Sequence, residues 1–392
     1  MITQGGKRDG AQMGLLDINH PDVREFIHCK DKDPQALSTF NISLAIPDSF
    51  MACVVEGDPH LDDHHLQLWQ EIVQSAWMTG DPGCYFTDTA EKTNPTPELG
   101  KLGVNPCAEV TLLDNEPCNL GSINLVNFIV PTLESRVDNY HNIDWSRLGK
   151  VVDMAIRYLD TVLDQNSFPD PAITNAAYRT RKLGLGVMGW ADMLALLHIP
   201  YDSQQAVDLG AQVMEFIDHE ASKSSLMIAD RLDSFMAGYG HRNATRTCIA
   251  PTGTIALLAG VSSGIEPHYA LKWQRRMGDG TMLDEQIPVW DRLNGFVPRT
   301  AMNIDWQWHV KHQAAFQRYT NLAVSKTINL PNSATVQDVS DAYIMMWQLG
   351  CKGGTVFRDG CRNEQVLKVG RIIEMDKQPY IQTSKPTAPV GV

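Results

Sequence analysis

The chain has 392 residues, of which 43% are hydrophobic and 20% charged. That composition excludes disorder, coiled coil and collagen, and a chain this long buries a large core without disulfide or metal staples. Lysine and arginine number 33 against 46 aspartates and glutamates, so the net charge is −13. Such a balance argues against a general nucleic-acid binder, though a local basic or amide-lined pocket for anionic small molecules remains open. No apolar run approaches the roughly 18 residues of a membrane span. The opening MITQGGKRDGAQMG has no secretory-type apolar run, so the expectation is a cytoplasmic protein without membrane or nucleic-acid partners. Eight cysteines (Cys29, Cys53, Cys84, Cys107, Cys118, Cys248, Cys351 and Cys361) show no Cys-x-x-Cys spacing and no zinc-type cluster. They read as thiols in a reducing compartment, with no metal site expected.

In chain order, Gly5, Gly6, Lys7, Arg8, Asp9 and Gly10 form a polar, glycine-rich loop. Residues 17–31 read as a helix, with Asn19 as candidate N-cap and Pro21 in the first turn. Residues 40–47 alternate like a strand, and 61–80 read as a helix stopped by Gly80. A loop bearing Pro82, Pro95, Pro97 and Pro106 leads to Cys107. Residues 121–130 read as a strand and 145–166 as a long amphipathic helix. The stretch 181–199 reads as strand, turn and helix, 203–232 as helix, and 245–260 as strand, tight turn and helix start. Residues 270–310 have no clear period and read as an insertion. Residues 333–350 read as a helix capped by Ser333 or Thr335 and stopped by Gly350, and 354–359 as a short strand. The stretch 371–392 carries three prolines and reads as a loose tail. Strands alternating with helices predict an α/β architecture with a largely parallel sheet, and pattern alone does not choose between open sheet and barrel.

Chemistry-bearing residues cluster in a few places. Asn105-Pro106-Cys107-Ala108-Glu109 sets a thiol and a carboxylate two residues apart on a loop, a nucleophile or radical carrier beside a general base. Cys118, eleven positions on, offers a second thiol. In Pro251-Thr252-Gly253-Thr254-Ile255 a strand delivers two hydroxyls and a glycine to a helix start, where free N–H groups favour a phosphate. Each signal by itself is also compatible with ordinary loops, buried thiols and strand–helix turns.

Taken in order, these segments form a set. NPCAEVTLLDNEPCNLGSINL (105–125) resembles the active-site loop of ribonucleotide reductases, and APTGTIALLAGVSSGIEPHY (250–269) their substrate-phosphate segment. GGKRDGAQMGLLDINHPDVREFI (5–27) resembles the segment holding their substrate-specificity loop. RKLGLGVMGWADML (181–194), NLAVSKTINLPNSATVQDV (321–339) and GGTVFRDGCR (353–362) continue the likeness to about residue 370. It is nearest to the class II, adenosylcobalamin-dependent enzymes. The resemblance implies a ten-stranded α/β barrel of the ribonucleotide reductase and glycyl-radical type over residues 1–370, with a central finger loop. It implies that Cys107 becomes a thiyl radical after homolysis of the cobalt–carbon bond and abstracts the 3′ hydrogen of a ribonucleotide. Glu109 is then the base on the 3′ hydroxyl, Asn105 a substrate-binding amide and Cys118 one of two reducing thiols. Pro251 to Ile255 would hold the substrate phosphate, and Gly5 to Gly10 would sense deoxynucleotide or ATP effectors. A thioredoxin-type reductant, diphosphate substrates and a homodimer complete the expectation. Thr355-Val356-Phe357-Arg358 lacks the tyrosine pair of class I enzymes, and residues 383–392 lack the glycyl-radical motif of class III.

The likeness begins at the specificity loop. The early strands and the partner of Cys118 are therefore expected from an N-terminal half supplied by another chain, or the reading frame is partial. The alternative function is a non-catalytic nucleotide-binding remnant. A cysteine-nucleophile hydrolase would need a histidine beside Cys107, and the nearby sequence offers none.

Overall fold

The structure, a computed structural model, describes residues 3–4, 8–32, 37, 39–56, 63–130, 142–235, 240–276 and 282–361. In the first part, β1 (Thr3–Gln4) pairs antiparallel with β2 (Arg8–Asp9), followed by β3 (Gln12–Asp17), α1 (Val23–Ile27), β4 (Phe40–Ile46), α2 (Asp48–Glu56) and α3 (Asp63–Thr79). Next come β5 (Gly83–Phe86), α4 (Thr87–Glu91), β6 (Gly103–Val104), β7 (Thr111–Leu112) and β8 (Asn119–Asn124). The middle holds α5 (Trp145–Gln165), α6 (Pro171–Thr180), β9 (Leu183–Met188), α7 (Trp190–Leu196), α8 (Gln204–Leu232) and α9 (Gly253–Ala259). The hairpin β10 (Lys272–Arg276) and β11 (Met282–Gln286) precedes α10 (Trp306–Gln317), β12 (Thr327–Leu330), α11 (Val336–Gln348) and β13 (Gly353–Arg358).

The strands form a curved wall. One part is a five-stranded sheet in the order β12-β13-β5-β4-β3. β3, β4 and β5 are mutually parallel, β12 and β13 are parallel to each other, and β13 meets β5 antiparallel. The other part is parallel β8–β9, extended by bridges from Leu185 to Thr247 and from Ile249 to Val324. Val324 lies just before β12, so the two parts join into one run whose outer members are β8 and β3. Helices pack outside it, giving two cores. One gathers residues of β8, β9, α5, α7 and α8, the other those of β3, β4, β5, β12, β13, α3 and α11. This is the α/β barrel wall that the resemblance implies.

Most long elements fall where the sequence puts them. Ser203 caps α8, accepting from the Ala206 amide, and Thr335 caps α11 in a capping box with Asp338. Gly80 and Gly350 stop their helices with φ of 81° and 76°. The expected helix at 17–31 shrinks to α1. Asp17 Oδ1 accepts from the Asn19 amide at 2.9 Å, so Asn19 closes a turn rather than capping a helix, and residues 12–17 form a strand. The strand expected at 121–130 ends at Asn124, whose side chain accepts from the Val126 amide and starts a 3-10 turn. The region 270–310 is not periodless: it contains a hairpin and the start of α10. Polar His309, His312, Gln313 and Gln317 occupy the buried face of α10 and hide its apolar period. The 371–392 stretch lies outside the described residues. No helix among the described residues is long and apolar enough to cross a membrane.

Candidate active site in the finger loop

β6 and β7 form an antiparallel stalk, with Gly103 opposite Leu112 and Val104 opposite Thr111. Residues 105–110 make the turn at its tip. The Ala108 amide donates to the Asn105 carbonyl at 3.0 Å, the Asn105 amide to the Val110 carbonyl at 3.1 Å, and the Val110 amide to Asn105 Oδ1 at 3.0 Å. Ala108 adopts φ of 62°, a left-handed conformation that non-glycine residues adopt only at some cost. From the wall, Asn41 Nδ2 on β4 donates to the Pro106 carbonyl at 2.6 Å, and the Ala323 amide donates to the Glu109 carbonyl at 2.8 Å. Sequence spacing therefore anticipates a loop, and the structure makes it a tight turn fixed at three points.

The turn separates its two reactive groups by environment. Cys107 is exposed at the tip. Glu109 is buried, with 3% of its surface exposed, and its Oε2 has no hydrogen-bond partner. Burial raises the Glu109 carboxyl above the usual carboxylate range, while the Asn105 side chain and the residue's own amide pull it back. Asn105 thus both pins the turn and holds the carboxylate. Cys118 packs against an apolar cluster of Val110, Cys248, Ala250 and Leu322. Burial pushes its thiol well up, opposed by Lys182 and reinforced by Glu116 and Glu109. The Cys248 thiol is likewise raised by burial, and the charges of Cys118 and Glu109 add to that. Sequence reading passed over Cys248, because only the tertiary wall brings it to this cluster.

A buried ion pair braces the base of the stalk. Lys182 Nζ lies 2.7 Å from Glu116, with side chains 0% and 1% exposed, and also reaches the Thr111 carbonyl at 3.3 Å. Thr180 donates a further short hydrogen bond to Glu116.

Pro251 to Ile255 follow the wall segment that carries Cys248 and Ala250. Val110 and Ala250 share one apolar cluster, so the foot of the finger turn packs beside the start of this segment. Thr252 has φ of 56°, strained for a β-branched residue, and its Oγ1 accepts from the Gly264 amide at 2.7 Å. Gly253, Thr254 and Ile255 are exposed at the start of α9, and a Cβ on Gly253 would meet nothing within 4 Å. The expected arrangement of open N–H groups is present. Of the specificity-loop residues, Gly5, Gly6 and Lys7 lie outside the described residues. Arg8 and Asp9 form the second strand of the β1–β2 hairpin, and Gly10 is half-buried. A surface cavity of about 450 Å³ between α5 and α8 is lined by no finger residue.

Comparison with known proteins gives this geometry a family. The model described as "Ribonucleotide reductase, barrel domain" matches residues 1–61, 64–237, 229–296 and 290–357. The chain is 41% identical to a vitamin B12-dependent ribonucleoside-diphosphate reductase of Thermoplasma acidophilum, covering 94% of this chain and 54% of that protein. It is 40% identical to the protein of the same name from Mycobacterium tuberculosis, covering 94% of this chain and 59% of that one. It therefore spans a little over half the length of these curated relatives. Among solved structures, the Actinobacillus ureae class Id ribonucleotide reductase alpha subunit superposes with a TM-score of 0.71 at 21% identity, over 89% of this chain and 70% of that one, which speaks to the fold. The chain belongs to the ribonucleotide reductase barrel-domain family.

Proposed function

We propose that this chain carries the catalytic centre of a ribonucleotide reductase that converts ribonucleoside diphosphates to 2′-deoxyribonucleotides with adenosylcobalamin as radical source. The observation that carries this reading is the finger turn. It holds one exposed thiol, Cys107, and one buried, Asn105-bonded carboxylate, Glu109, two residues apart on a braced stalk. The names of relatives at 40–41% identity support the diphosphate substrate and the cofactor.

In this mechanism the Cys107 sulfur, as a thiyl radical, takes the 3′ hydrogen atom of the ribose and gives it back once the 2′ position is reduced. Glu109 accepts the 3′ hydroxyl proton, which makes the adjacent 2′ hydroxyl easier to expel as water. Asn105 orients the substrate, and Cys118 supplies one of the two thiol hydrogens that reduce the 2′ position. The open amides of Gly253 to Ile255 bind the substrate phosphate. Burial of Glu109, and the apolar cluster that half-covers Cys118, limit the access of bulk water to this step.

Cys107, exposed between half-buried Pro106 and Ala108, fits a bulky radical-generating group approaching from outside the turn. Val356 and Phe357 on β13 present no phenol for relay from a second subunit. When bound, adenosylcobalamin supplies the oxidising equivalent that removes the thiol hydrogen of Cys107. The proposal extends to a thioredoxin-type reductant, to deoxynucleotide or ATP effectors read by residues 5–10, to a homodimer in the cytoplasm, and to an N-terminal half that supplies the partner of Cys118.

The test combines this chain with an N-terminal half, adenosylcobalamin and a dithiol, and measures deoxynucleotide formation. Cys107→Ala should abolish product, and Cys118→Ala should block turnover after at most partial chemistry. Normal activity in Cys107→Ala would refute the assignment.

A further inference from the structure

A second cavity, of about 250 Å³, opens at the other end of the wall segment that leads to Thr252. Thr93, Asp218, Thr245, Arg246, Arg318 and Asn321 line it. Thr93 belongs to the stretch that feeds the finger stalk, Asp218 to α8, and Arg318 directly follows α10.

The charges around this cavity do not balance. Arg246 is half-buried with its Nε shielded from solvent, and desolvation depresses its guanidinium with only partial relief from Asp218. Its Nε has no hydrogen-bond partner, while Nη1 reaches the Asn243 carbonyl at 3.3 Å. Asp218 is engaged elsewhere: its Oδ1 accepts from Asn321 Nδ2 at 3.0 Å and from Thr247 Oγ1 at 3.4 Å. Burial also raises the Asp218 carboxyl, biasing it toward the neutral form. Arg318, exposed at the rim, lies over the Tyr319 ring at 5.5 Å. Behind Asn321, Lys352 Nζ donates to its carbonyl at 2.6 Å. Burial and the nearby charge of Lys182 push that ammonium down to about 7. Two guanidiniums therefore face one carboxylate that is already hydrogen-bonded. A shielded guanidinium nitrogen with no hydrogen-bond acceptor is unfavourable, and an anion entering the cavity would relieve it.

We infer that this cavity is a binding site for a small tetrahedral oxyanion of the phosphate type, held between Arg246 and Arg318. Planar guanidinium forks match the paired oxygens of such an anion better than any other side chain. The site is separate from the Pro251–Ile255 segment and does not depend on the reductase reading. Because Thr93 and Pro95 line it beside the wall residues 244–246, a bound anion ties the entry of the finger stalk to the barrel wall.

Thermal unfolding of the 392-residue chain in inorganic phosphate, against chloride at matched ionic strength, tests this. Saturating phosphate should raise the midpoint of the unaltered chain by roughly 3–5 °C. Thr252→Val should keep that rise, whereas Arg246→Gln and Arg318→Gln should lose it. Should Arg246→Gln not fold, Arg318→Gln, altered at an exposed position, decides alone. No rise in the unaltered chain, a rise that survives the arginine changes, or a rise lost in Thr252→Val each overturns the proposal.

Discussion

Asn105 does two jobs with one amide. Its oxygen accepts from the Val110 amide, and its side chain hydrogen-bonds Glu109 and lowers a carboxyl that burial raises. A carboxylate acting as base must be ionised, so the acid limb of activity should lie above the ordinary glutamate range of about 4.3. Asn105→Ala removes a lowering contact, and the limb should move to still higher pH. A pH profile of kcat/KM for the assembled enzyme checks this, and a limb that stays put or falls contradicts it. At this scale the sequence was informative where residues are neighbours in the chain. Asn105, Cys107 and Glu109 could be named from one loop. Cys248 and Arg246 could not, because their partners come from strands and helices far away in sequence. The opposite environments of Cys107 and Glu109 were also hidden, since they follow from the left-handed Ala108 and the contacts to Asn41 and Ala323.

Among the elements, β9 shows why glycine recurs in LGLGVM. A Cβ on Gly184 would sit 2.6 Å from the Cys248 sulfur and equally close to Leu120, and one on Gly186 would run into the carbonyl oxygen of Cys248. The wall closes on this strand only because side chains are missing there. Gly186→Ala should therefore cost about 3 kcal/mol or more, since backbone cannot yield as a side-chain end does. Urea unfolding measures it, and a loss under about 1 kcal/mol would show that the wall relaxes more easily than its packing implies. Long amphipathic helices such as α5 and α8 were readable because one face is apolar and the caps are strong. β5 and α10 were not, the first because GCYF is buried throughout and shows no alternation, the second because its inner face is polar.

For the whole molecule, the wall run ends at β3 and β8, with no further ladder beside either among the described residues. Leu120 on β8 is 40% exposed. Unpaired strand edges with apolar side chains template association. The purified chain should self-associate with rising concentration, and Leu120→Lys should reduce this. Light scattering across a dilution series reads it out, and a monomer at every concentration would contradict it. The continuity of the wall was not legible from pattern, because it depends on a few residues: single bridges at Thr247 and Val324, and the short β5–β13 ladder.

That last ladder sets an order of events. Gly353 and Gly354 pair with Tyr85 and Cys84, and Tyr343 donates to the Pro82 carbonyl from α11. During synthesis, β5 therefore waits with one side bare until residues 353 and 354, far downstream, have left the ribosome. Contacts spanning such a stretch form slowly. Chaperone dependence in the cell should accordingly fall on the interval before residues 353–358 emerge, and a nascent chain halted just short of them would be the form most prone to capture by misfolded neighbours.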